Sequence, residues 1–297
     1  MSAGKIVVGT AGGLRTVDGA VLFEADVTAL TAVDGGWWVL SGDGDVVRIP
    51  DAGESVAQIV GPPGRCLIAD GVDLLIGTAE AHLLRLSGGS LEVIDAFDRA
   101  DGRDTWYTPW GGPPDTRSLS RGSDGVLFAN VHVGGILRSR DSGASWEPTL
   151  DIDDDVHQVL AHPTAAGHVF AAAAVGLLWS TDGGDMWTRE TDGLLGTYSR
   201  AVAVAGETLL LSASDGHRGG HAAVYRAPLV GGSLERCDAG LPEWFDGNID
   251  THRLAAAGPT AVVGTADGRV FVSEDEGRTW ELADDQLAPI RAVGIEA

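Results

Sequence analysis

Three observations predict an all-β fold built as a closed ring of seven four-stranded blades. A hairpin unit recurs through the chain, an inner apolar run precedes nearly every unit, and the two chain ends are mismatched in a way that a ring resolves. The clearest part of the unit reads S-x-D-x-G-x-x-W and occurs at Ser139 to Trp146, Ser180 to Trp187 and Ser273 to Trp280. In each copy a β-prone run leads into Asp and Gly, which favour a tight turn, and Trp opens the returning strand. Repetition on this scale constrains architecture more strongly than any single motif.

In chain order the hairpins are Ile6 to Gly9 with Leu14, Trp37 to Leu40 with Val46-Val47, Leu74 to Gly77 with Leu83-Leu84, and Val126 to Ala129 with Ile136-Leu137. Val169 to Ala172 with Leu177-Leu178, Leu209 to Leu211 with Val224-Tyr225, and Ala261 to Gly264 with Val270-Phe271 complete the set. Their aligned third-strand position holds Arg15, Arg48, Arg85, Arg138, Trp179, Arg226 and Val272. Inner-strand runs lie at Val27 to Ala32, Arg65 to Ala69, Thr116 to Leu119, Val156 to Ala161, Ser199 to Val204, Thr251 to Ala256 and Ile290 to Ile295. The last run has no hairpin after it, and the first hairpin has no run before it. Ile290 to Ile295 is therefore expected to join the N-terminal blade and close the ring, leaving no open sheet edge. The 43 glycines suit short strands and tight turns, no long amphipathic helical period is present, and residues 1–297 read as one domain.

The repeated turn resembles the Asp-box, or BNR, repeat of sialidase-like β-propellers. In blade number the chain is more similar to propellers of the photosystem assembly factor type, to sortilin-type receptors and to xyloglucanase-like hydrolases. The resemblance implies a seven-bladed β-propeller with the repeated turns between third and fourth strands, on the face away from the ligand site. Asp141, Asp182 and Asp275 are then turn formers, and Trp146, Trp187 and Trp280 pack between blades. Arg48-Ile49-Pro50 matches the Arg-Ile-Pro motif of sialidases, but Arg48 falls on the aligned third-strand position. Sialidase propellers have six blades, and no Glu is placed to partner Tyr198. Xyloglucanase-like hydrolases pair two propellers around a cleft with two catalytic Asp residues, and this sequence supplies one propeller. The first two types bind proteins or peptides, so the resemblance leaves binding and catalysis both open.

A formal net charge of −23 arises from 43 acidic against 20 basic residues, with Lys5 the only lysine. Self-repulsion of this size is tolerable where counterions are abundant, so a salt-adapted, halophile-type protein is expected. The same charge disfavours nucleic acid and anionic membrane as partners. No membrane-length apolar run or leader stands out, and a cytoplasmic location is expected. Cys66 and Cys237 are expected as free thiols.

Candidate chemistry collects on the face opposite the repeated turns. Starts of inner strands supply Asp115, Arg117, Asp155, His157, Tyr198, Arg200, Asp250, His252, Arg253 and Arg291. Loops between second and third strands supply His82, Asn130, His132, His217, Arg218 and His221, so six of the eight histidines map to one face. Two insertions cover it, Asp98 to Asp115 with Trp106, Tyr107 and Trp110, and Gly240 to Asp250 with Trp244 and Phe245. Long loops in a compact array are usually functional or disordered, and aromatic content argues against disorder.

The reading is a small polar or anionic ligand, sugar-acid-like, at the mouth of the central channel. Trp106, Tyr107 and Trp110 form an apolar wall, Arg117, Arg200, Arg253 and Arg291 face the anion, and Asn130, His132 and Tyr198 add hydrogen bonds. The enzymatic alternative is a hydrolase or lyase with His157 or His252 as base, titrating near neutrality, and Asp115, Asp155 or Asp250 as partner. A divalent metal is the one cofactor considered, with His132, His157 and His252 as ligands. No G-x-S-x-G elbow or phosphate loop is present. A protein-interaction scaffold is the third reading.

Overall fold

The computed structural model describes residues 5–51, 56–58, 62–109, 111–150 and 152–296, the segment 56–58 as backbone only. Its strands form seven four-stranded antiparallel sheets arranged as a seven-bladed β-propeller. Blade 1 takes its inner strand, Ile290–Ile295, from the C-terminal end and its others, Ile6–Thr10, Gly13–Thr16 and Val21–Phe23, from the N-terminal end. Val8 faces Val293 across this closing pair. Blades 2 to 7 run outward from the inner strands Val27–Val33, Gly64–Asp70, Thr116–Arg121, Val156–Ala161, Tyr198–Ala205 and Leu254–Ala257.

Second strands such as Leu127–Val131, Val169–Ala173 and Thr260–Gly264 are buried along their whole length. A strand covered on both faces reads as a continuous apolar run rather than an alternating one, which is how these segments read in the sequence. Buried side chains divide into seven clusters, one at each seam between neighbouring blades. The core is thus distributed around the ring.

The three S-x-D-x-G-x-x-W segments share one hydrogen-bonding scheme at the turn between third and fourth strands. Ser139 Oγ accepts from Gly143 N at 2.8 Å, and Asp141 Oδ1 accepts from Ser145 N at 2.8 Å. Gly184 and Met186 amides repeat this with Ser180 and Asp182, as do Gly277 and Thr279 amides with Ser273 and Asp275. These bonds to the carboxylates hold Asp141, Asp182 and Asp275 below the ordinary carboxylate range, although burial opposes the shift at Asp275. Gly277 adopts φ +77, and a Cβ there would meet a Leu210 methyl at 2.6 Å, so the turn requires glycine. Trp146 packs edge-on against Phe97 at 5.2 Å in the seam of blades 3 and 4, and Trp280 is buried in that of blades 6 and 7.

Two of the aligned third-strand arginines tie neighbouring blades, and a third braces its own. Arg85 donates to Ser142 O and Arg138 to Gly183 O, each reaching the turn of the next blade. Arg48 of the Arg-Ile-Pro tripeptide donates to the carbonyls of Trp37, Ile49, Asp34 and Gly35 in its own blade. Cys66 and Cys237 are free and buried, and burial raises both thiol pKa values. No helix among the described residues is long and apolar enough to cross a membrane.

One expected element is shorter than its apolar pattern. The inner strand of blade 7 begins at Leu254, while Thr251, His252 and Arg253 form a turn in which Arg253 N donates to Asp250 O. His252 takes φ +73 there, a left-handed conformation that no strand permits.

Candidate functional site

Six inner strands share a feature that sequence patterning does not reveal. Pairing with the second strand skips one residue near the strand start, leaving Thr28, Arg65, Arg117, His157, Arg200 and Arg291 as single-residue bulges. A bulged residue leaves the ladder, so its side chain is re-aimed and its strand bends. Arg65, Arg117 and Arg200 line a cavity of about 270 Å³ at the channel mouth, together with Asp115, His132, Asp250, Thr251 and His252. His252 also lines the larger, mainly apolar cavity of about 360 Å³ within the channel, and among the described residues it alone is common to both.

Residues at the approach to four inner strands supply partners for the neighbouring blade, three of them two positions before a bulge. Asp26 of blade 2 pairs with Arg291 of blade 1 at 2.5 Å, and Asp115 of blade 4 with Arg65 of blade 3 at 3.0 Å. Tyr198 of blade 6 meets the His157 ring of blade 5 at 4.7 Å. Asp250, leading into blade 7, holds Arg200 at 2.5 Å and Arg253 at 3.4 Å. The scheme breaks between blades 4 and 5. Asp155, at φ +47, turns to His132 at 3.5 Å and His157 at 3.7 Å. Arg117 consequently has no carboxylate within ion-pair distance among the described residues, and its hydrogen bond goes to His132 Nε2 at 3.2 Å. Burial, reinforced by Arg200, depresses the Arg117 pKa to about 10.

Histidine protonation follows from the same surroundings. His157 is fully buried, and its Nδ1 lies 2.7 Å from Ser199 O, a carbonyl that only accepts, so Nδ1 carries the hydrogen. Nε2 has no hydrogen-bond partner among the described residues. Burial, then Arg117 and Arg200, lower the His157 pKa to about 3, and burial with Arg117 lowers that of His252 to about 4. Neither histidine titrates near neutrality, contrary to expectation, so both are weak bases. The His132 contact is the largest influence holding the Asp155 carboxyl low.

Other candidates stand elsewhere. Asn130 is buried and donates to Val156 O at 3.0 Å, a tie between blades 4 and 5. Trp106 stacks with Phe97 and Arg103 and lines a separate groove with Pro148 and Leu150, outside the mouth cavity. Tyr107 is exposed, and Trp110 lies outside the described residues. Trp106 and Tyr107 are therefore not among the described residues that line this cavity: the short helix Asp95–Asp98 buries Phe97 in the seam of blades 3 and 4, where Trp106 packs against it. Arg291 is tied to Asp26. His82 pairs with Asp98, and His221 with Asp215. Of the expected metal ligands, His132 and His157 come together with Asp155, all donor atoms within 4.8 Å of one another, while His252 is outside that group.

Sequence reading missed Arg65 and Thr251. Arg65 aligns with Arg117, Arg200 and Arg291 on the inner strands, and that register was the available signal. The buried Thr251 hydroxyl lies 3.0 Å from the carbonyls of both His157 and Arg200, joining blades 5, 6 and 7 beneath the site.

No protein-family profile matches the chain. A stretch of 141 residues, 46% of the chain, is 30% identical to a xyloglucanase of Hypocrea jecorina (strain QM6a), of which it spans 16%. Among solved structures, the GH74 xyloglucanase from Xanthomonas campestris is similar at a TM-score of 0.62 and 17% identity over 93% of this chain and 46% of that one. YCF48 bound to D1 peptide is similar at a TM-score of 0.60 and 14% identity over 93% of this chain and 91% of that one. The chain spans less than half the length of these xyloglucanases, and identities this low between structures speak to the fold.

Proposed function

We propose that the protein binds a small carboxylate-bearing ligand of sugar-acid type at the channel mouth. The carrying observation is the broken pairing scheme: neighbouring arginines have their carboxylates, and Arg117 lines the cavity with none at ion-pair distance among the described residues. A ligand carboxylate supplies the missing partner in a geometry suited to guanidinium recognition. The volume, about 270 Å³, suits a ligand near monosaccharide size rather than a long chain.

Calorimetric titration in molar KCl with glucuronate, and with glucose as neutral control, tests this reading. Glucuronate is expected to bind, glucose to bind far more weakly, and Arg117→Met to weaken glucuronate roughly tenfold or more. Absence of glucuronate binding, or affinity unchanged in Arg117→Met, overturns it.

Glycoside hydrolysis is the second reading, favoured by the stretch similar to a xyloglucanase. Product release from xyloglucan oligosaccharides without measurable glucuronate affinity would put it first. An interaction scaffold, supported by likeness to a peptide-bound propeller, gains if neither occurs.

A further inference from the structure

The break that frees Arg117 also assembles a second set of groups beside the cavity. Asp155 Oδ1 lies 3.5 Å from His132 Nε2, and Asp155 Oδ2 lies 3.7 Å from His157 Nε2. Donor atoms bound to one tetrahedral metal at bond lengths of about 2.0 to 2.1 Å are separated by about 3.3 to 3.4 Å. Each spacing is within a few tenths of an ångström of that value, one through each Asp155 oxygen, and one donor atom from each of the three side chains lies within 4.8 Å of the others, so side-chain adjustment lets them share an ion.

His157 carries the stronger argument. Its Nδ1–H is committed to the Ser199 carbonyl, which fixes the ring orientation and directs the Nε2 lone pair at Asp155. A backbone carbonyl on the far nitrogen is how metal-bound imidazoles are oriented. That Nε2 is fully buried yet has no hydrogen-bond partner among the described residues, an arrangement a bound cation resolves. His132 Nε2 carries a lone pair too, since the guanidinium it accepts from can only donate, and a metal takes that lone pair in place of the Arg117 hydrogen bond.

We infer that His132, Asp155 and His157 form a three-ligand site for a divalent transition metal of the zinc type. Two imidazole nitrogens and one carboxylate oxygen favour Zn²⁺ or Co²⁺ over Mg²⁺ and Ca²⁺, which prefer all-oxygen shells. His132 lines the mouth cavity, so coordination positions left open face the same space as Arg117. An anion there bridges metal and guanidinium, and metal and anion bind with positive coupling. The site shares its location with the carboxylate site proposed above and does not depend on it.

Titration of Zn²⁺ into untagged, chelator-treated protein, with Mg²⁺ as control and Co²⁺ absorption as a readout of nitrogen and oxygen ligation, tests the inference. Zn²⁺ is expected to bind and Mg²⁺ not. His157→Ala and Asp155→Asn should each weaken Zn²⁺ by more than about tenfold, since losing a ligand costs at least as much as losing its outer support. Arg117→Met should tighten Zn²⁺ measured without anion, because it removes a positive charge 3.2 Å from a ligand nitrogen, while weakening glucuronate. The two proposals therefore fail separately. Because His157→Ala perturbs a buried position, His132→Ala at the cavity rim serves as a second ligand deletion. No Zn²⁺ binding by the wild-type protein, or binding retained in both His132→Ala and Asp155→Asn, overturns the site.

Discussion

Two seams of one ring treat the same chemistry differently. Between blades 6 and 7, Asp250 lies between Arg200 and Arg253, and every charge has a partner. Between blades 4 and 5, Asp155 turns away and Arg117 lines the cavity with no carboxylate at ion-pair distance among the described residues. The closed seam holds blades together, and the open seam retains charge able to act on a ligand. Three of the four bulged arginines have a carboxylate, which makes the fourth conspicuous, and the departure from local consistency marks the candidate site.

The comparison can be broken most strongly at the closed seam. Asp250→Ala leaves two half-buried guanidinium groups facing each other, and chemical denaturation should show a loss of about 2 to 3 kcal/mol after allowing for partial exposure. At the open seam the sign reverses. Arg117→Met removes a charge that makes no ion pair among the described residues and should raise stability by about 1 kcal/mol in the same measurement, the mark of a residue kept for function. A loss as large as that of Asp250→Ala would mean that Arg117 has a structural partner and the two seams are alike.

The smallest effect sharpens the electrostatic picture. His252 has a folded-state pKa of about 4 against an ordinary 6.5, so between these values the unfolded chain binds the proton more readily. Its contribution is complete above about pH 6.5 and is lost as pH falls toward 4. His252→Asn, a residue that tolerates the left-handed backbone, should give a shallower fall in Tm between pH 7 and 5 than the wild-type protein. Parallel slopes would show that His252 is not held neutral.

The three Ser-Asp-Gly-Trp turns were legible because every bond in them is local, running from Ser273 and Asp275 to amides four residues on. Ring closure was legible too, since a hairpin without an inner run at one end and an inner run without a hairpin at the other leave one economical pairing. The site was legible only as residue types at strand starts. Trp106 looked like a wall for the ligand because it sits in a long aromatic loop, yet packing against Phe97 places it at another groove. Thr251 to Arg253 continued an apolar strand pattern, yet a turn with His252 at positive φ stands there.

The sequence by itself determined the seven units, their turns and the closure of the ring, because these follow from short-range backbone preferences and from the burial of continuous apolar runs. Only the tertiary structure decided that Arg117 makes no ion pair among the described residues and that Asp155 joins His132 and His157. Those relations depend on bulges one residue wide and on contacts between blades, where a difference of an ångström determines which partner each charge takes.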